Sequence, residues 1–246
     1  FLLHKYRYSS YFLSLIGILI LFISVGIYKI FYFPKLNPKK IFIYSKSTQK
    51  PKIFKKDPII NQTLLKDFET PIYLMSGNHD SPSLLKTLSN NKNIFFKNFE
   101  SFNNWGAFMF NTKKEGSPNG LLKSEELVCF DKVLSNTLYK NIIIFLHHHP
   151  VPIGSASMDS MIIENAELLT DRIMKYDKIK AVSWGHIHNE FNLNMGSTKL
   201  FSTPSTCYQA KEKSKDFIID PEALPGYRKI SLNDDGSFDT EVIRVS

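Results

Sequence analysis

Cysteine is scarce in this 246-residue chain, with only Cys129 and Cys207, far apart and without CxxC spacing. That excludes a disulfide framework and a four-cysteine zinc site, and it suits reduced thiols in a cytoplasmic domain. Acidic residues are scarce in one region. The first 60 residues hold eleven of the 31 Lys and Arg but one of the 23 acids, Asp57. The remainder carries 20 basic against 22 acidic side chains, so the net charge of +8 belongs to the N-terminal segment. The rest lacks the basic footprint of a nucleic-acid-binding surface.

Charge is absent altogether from residues 8–28, YSSYFLSLIGILILFISVGIY, the run bounded by Tyr8 and Tyr28. At about 1.5 Å per residue a helix of this length crosses roughly 30 Å of hydrocarbon, so residues 1–34 read as an apolar segment able to span a membrane. Basic residues flank it on both sides. The heavier flank follows it (Lys29, Lys35, Lys39, Lys40), which would leave the next domain in the cytoplasm, anchored through this run. A removable signal peptide fits less well, because the apolar core is too long and no small-residue cleavage site follows. A third reading is AT-rich DNA translated out of frame, which yields the same Phe, Leu, Ile, Tyr and Lys.

Residues 35–60 are Lys- and Pro-rich with short apolar runs and read as a linker. From residue 61 to residue 246 the pattern is that of one α/β domain. Strands are expected at 71–75, 142–146, 179–184 and 199–202, helices at 81–88, 120–138 and 162–176, and a terminal hairpin at 227–232 and 238–245 turning through residues 233–236.

Histidine is also used sparingly, yet six of the seven fall in three short motifs, GNHD (residues 77–80), HHHP (147–150) and GHIH (185–188). Each directly follows an expected apolar strand, where α/β sheets bind ligands. Any one motif has a bland explanation: Gly, Asn and Asp are turn residues, and a lone His-x-His is more often a hydrogen-bonded surface pair. Three at three strand ends point instead to a metal site. Imidazole nitrogens with an amide oxygen and no thiolate suit Zn, Fe or Mn. Such ions acidify water and clamp phosphoryl oxygens, so the reaction class is metal-assisted hydrolysis. Gly77 and Gly185, which open the first and third motifs, are expected to permit a tight backbone turn.

GNHD, HHHPVPIG and GHIH, in this order, resemble the calcineurin-like metallophosphoesterases. More narrowly, HHHPVPIGSASMDS, KAVSWGHIHNEF, FSTPSTCYQ and PGYRKISLNDDGSFDTEVIRV resemble the bacterial class III cyclic AMP phosphodiesterases, over about residues 64–246. The resemblance implies a four-layer α/β/β/α sandwich with two Fe, Mn or Zn ions at the strand ends. It implies hydrolysis of cyclic AMP to AMP, with a small cyclic nucleotide as substrate. Carried over, Asn78, His147 and His186 would hold one metal and His188 the other. His79 would act on the scissile phosphate, Asp80 would orient His79, and His148 and His149 would either line the substrate pocket or bond locally.

One departure is serious. The family pattern opens with Asp-x-His and Gly-Asp motifs that supply the bridging carboxylate. In this sequence no glycine is followed by Asp and no Asp is followed two positions later by His. Two dications without a bridging carboxylate repel strongly. The sequence therefore predicts at most one well-bound metal, an N-terminally incomplete sandwich and impaired activity, with a membrane-anchored, non-catalytic nucleotide- or protein-binding remnant as the alternative.

Overall fold

The computed structural model describes residues 16–23, 28–32, 70–89 and 93–245. Along the chain run β1 (Ile16–Ile23), β2 (Tyr28–Tyr32), β3 (Ile72–Met75), α1 (Pro82–Leu88), β4 (Ile94–Phe95), β5 (Phe99–Phe102), β6 (Trp105–Met109), α2 (Ser124–Ser135) and β7 (Asn141–Leu146). They are followed by α3 (Ala156–Asp159), α4 (Glu167–Lys175), β8 (Ile179–Trp184), β9 (Asn192–Met195), β10 (Thr198–Ser202), β11 (Gln209–Ala210), β12 (Ile219–Asp220), β13 (Gly226–Leu232) and β14 (Phe238–Arg244).

Two six-stranded sheets, ordered β14-β13-β1-β2-β3-β4 and β5-β6-β7-β8-β10-β9, form the body, with β11 and β12 as a small separate hairpin. In the second sheet β6, β7, β8 and β10 run parallel, with antiparallel β5 and β9 at the edges. Side-chain alternation along each strand sorts residues between two cores. Ile143 and Phe145 of β7 join Trp105, Ala107 and Met109 of β6 and Tyr73 and Met75 of β3 in the layer between the sheets. Ile142, Ile144 and Leu146 point the other way, onto Leu127, Phe130 and Leu134 of α2 and Leu169 and Ile173 of α4. These positions recur every three or four residues, the spacing that places them on one helix face. The result is an α/β sandwich.

Three expectations change. The uncharged run expected to be a membrane-crossing helix is strand in its described part: β1 pairs antiparallel with β13 (Ile16 opposite Leu232) and with β2, which pairs with β3. An Ile- and Leu-rich run serves equally as a strand, and β13 and β2 supply the partners of β1. These strands join the first sheet, although none was expected before residue 61. No helix among the described residues is long and apolar enough to cross a membrane. The 35–60 linker lies outside the described residues.

Third, both long helices begin later than predicted, for a shared reason. Gly120 N–H donates to Ile162 O and Glu164 N–H to Gly120 O, so the two approach segments hold each other extended. Asn165 adds a clamp, accepting from Leu122 N–H and donating to Leu122 O, both at 2.9 Å.

Candidate metal centre

The three histidine motifs leave the ends of β3, β7 and β8, one strand in the first sheet and two in the second. His147 Nε2 lies 2.8 Å from Asn78 Oδ1 and 3.0 Å from His186 Nδ1. Three lone-pair atoms from three strand ends thus converge on one point. His147 and His186 are 6% and 8% exposed. A single N–H on His147 Nε2 cannot serve both neighbours well, and His147 Nδ1 has no hydrogen-bond partner. A cation between the three atoms would satisfy all of them, and an N, N, O set suits a borderline divalent ion. The Asn78 amide is oriented for this, because its Nδ2 faces His79 Nε2 at 3.5 Å and leaves Oδ1 toward the histidines.

Backbone strain accompanies the site. His186 and His188 both have positive φ, 68° and 54°, a region that L residues other than glycine seldom occupy. Ile187 N–H donates to Gly185 O at 2.7 Å, closing a three-residue γ-turn centred on His186. The expected role of glycine is corrected here: neither Gly77 nor Gly185 has positive φ, and the histidines themselves take the left-handed conformation. Gly77 matters for close approach, since a Cβ there would stand 2.9 Å from His147 Nε2.

His188 Nδ1 lies 3.0 Å from Tyr208 O, an acceptor, so Nδ1 carries the proton and Nε2 the lone pair. That is the tautomer a metal ligand needs. Asp80 Oδ2 accepts from Gly77 N–H at 2.7 Å, and Asp80 N–H donates to Gly77 O at 3.1 Å. The carboxylate therefore closes the turn that carries His79, which is exposed.

His148 and His149 are both 0% exposed, which favours the local-bonding alternative over substrate contact. His147, His148 and His186 present nitrogens within 4.8 Å of one another, but both nitrogens of His148 are engaged. Nε2 donates to Pro118 O at 3.0 Å and Nδ1 accepts from Thr112 Oγ1 at 2.8 Å. His148 thus bonds locally, with both ring nitrogens engaged by the protein. His149 stacks on His186 at 5.9 Å and sits 3.4 Å from Asp159 Oδ1. Burial pushes its imidazole well below the ordinary range, and Asp159 only partly opposes this.

Sequence reasoning passed over Thr112, Tyr208 and Lys113, whose positions depend on strand pairing that no local motif announces. Lys113 Nζ donates to Asn78 O at 3.4 Å.

A family model described as calcineurin-like phosphoesterase matches residues 51–190. The chain is similar to the 3',5'-cyclic adenosine monophosphate phosphodiesterase CpdA of Pseudomonas aeruginosa, 32% identical over 71% of this chain and 64% of that protein. The same enzyme of Escherichia coli K12 is 31% identical over 73% and 65%. A 3',5'-cyclic-nucleotide phosphodiesterase of Nostoc is 30% identical over 75% and 69%. The matched part thus spans about two thirds of these relatives. A dimetal phosphatase structure from Danio rerio overlaps 60% of each chain at 14% identity, with a TM-score of 0.40. With more than half its length matched, the chain belongs to the calcineurin-like phosphoesterase family.

Proposed function

We propose that this chain hydrolyses the phosphodiester of a cyclic nucleotide, cyclic AMP first among candidates, with one divalent metal ion and at an impaired rate. The approach of Asn78 Oδ1 and His186 Nδ1 to His147 Nε2, at 2.8 and 3.0 Å, carries the metal part of this reading. The names of the relatives at 30–32% identity support the substrate class.

An ion held by Asn78, His147 and His186 would supply Lewis-acid polarisation of a phosphoryl oxygen and acidify water. The remaining roles belong to side chains. His79, exposed and braced against the Asn78 amide, protonates the leaving oxygen or stabilises charge on the phosphate. Asp80 sets the turn that aims it. His188 would contribute Nε2 to a second ion, but the sequence brings neither an Asp-x-His nor a Gly-Asp motif to share the load. Two dications roughly 4 Å apart repel by about 4 kcal/mol even at the dielectric of water. A single occupied position follows.

The test is release of AMP from cyclic AMP by the Mn²⁺-supplemented chain, with His79→Ala as control. We expect slow turnover that His79→Ala lowers about a hundredfold while leaving metal uptake intact. Turnover at ordinary enzyme rates with two ions retained would refute the impairment. No hydrolysis of any cyclic nucleotide by metal-loaded protein would refute the activity.

A further inference from the structure

Lys113 and Lys114 leave the same loop and do different things. Lys114 Nζ meets both oxygens of Glu164 at 2.7 Å, an outward pair on the surface. The Lys113 side chain is only 12% exposed, and its ammonium makes one long bond, to Asn78 O at 3.4 Å. Its nearest carboxylate, Glu115, is 3.8 Å away and 79% exposed. An ammonium carries three donors and seeks an anion. Here it is largely withdrawn from water beside the loop that carries Asn78 and His79, and the carboxylate paired with it among the described residues, Glu115, is at the edge of ion-pair distance and exposed.

The position is built into the fold. Lys113 pairs with Gly120 as an isolated bridge, and its N–H donates to Asn111 Oδ1 at 3.3 Å. That same oxygen accepts from Ser76 Oγ, immediately before Gly77. The lysine backbone is therefore tied to the loop its side chain serves. Asn78, His147 and His186 bring no carboxylate to the site, and the Asp80 carboxylate in the same loop is engaged by Gly77 N–H.

We propose that Lys113 is the phosphate anchor of this centre: its ammonium binds a phosphoryl oxygen of the substrate and supplies fixed positive charge where a second metal ion lacks its carboxylates. This rests on the metal-site reading above, and it makes a prediction that a structural role does not. The lysine attracts phosphate and repels the metal, so removing its charge moves the two affinities in opposite directions.

The experiment is calorimetric titration of the full chain and its Lys113→Met and Lys113→Arg variants with Mn²⁺ alone, and with inorganic phosphate with and without Mn²⁺. In Lys113→Met we expect phosphate Kd to rise about tenfold, the low end of a charge-assisted hydrogen bond, and Mn²⁺ Kd to fall several-fold. Lys113→Arg should restore phosphate binding. Unchanged phosphate affinity in Lys113→Met, or weakening of both ligands together, overturns the proposal. If the wild-type chain takes up no Mn²⁺, the metal-site reading fails. The anchor is then judged by the metal-free phosphate titration, where loss of binding in Lys113→Met upholds it and no change refutes it.

Discussion

His147 and His148 are neighbours in sequence, and the bonds they make separate their roles. His147 aims Nε2 at Asn78 and His186, whereas His148 spends both nitrogens on Thr112 and Pro118. His148→Ala strands the buried Thr112 hydroxyl and frees Pro118 O, and we expect a loss of about 1–3 kcal/mol in urea unfolding, with Mn²⁺ affinity of the folded protein within about twofold of wild type. Glu126 offers a pH test. It is 7% exposed, Oε1 accepts from Asn98 Nδ2 at 2.7 Å and Asn111 N–H at 3.2 Å, and Oε2 has no hydrogen-bond partner. Burial outweighs these bonds and raises its carboxyl above the ordinary range. An acid raised on folding binds its proton more tightly in the native state, so its destabilising charge is felt at neutral pH and relieved as pH falls. Glu126→Gln keeps the acceptor and removes the charge. We expect a gain of about 1 kcal/mol at pH 7 that shrinks as pH falls into the carboxylate range, read from urea midpoints.

Among elements, α2 shows how the outer layer is held. Phe130 is fully buried, with ring centroids 4.8 Å from Phe108 and 5.1 Å from Phe110. Phe130→Ala should cost about 3–5 kcal/mol by chemical denaturation. The elements also show what the sequence could reveal. β7 and β8 are legible because NIIIFL and IKAVSW are apolar runs of strand length that end in histidines. β6 is not, because Gly106 and Ala107 dilute its pattern, although Trp105 and Phe108 place it beside β7 at the centre of the sheet. Residues 120–123 and 162–166 carry helical periodicity but pair with each other, a tertiary preference that no local window contains. At the site, the strand-end motifs and the family resemblance singled out Asn78, His147 and His186, whose side chains lie together in the fold. The lysine beside them and the burial of His148 and His149 became visible only once the strands were paired.

At the scale of the whole molecule, strand ends from two sheets meet at one point and present neutral ligands and a nearby lysine. The acids expected to balance a second ion are absent from the sequence. On the reading proposed above, that arrangement would accommodate one dication and an anion, and resist a second dication. The most direct test is the metal content of the purified chain and its His147→Ala variant, measured by mass spectrometry after loading with Mn²⁺ and dialysis. The account predicts about one ion per wild-type chain and close to none in a folded His147→Ala. Two ions retained by the wild type, or equal content in the two proteins, would contradict it.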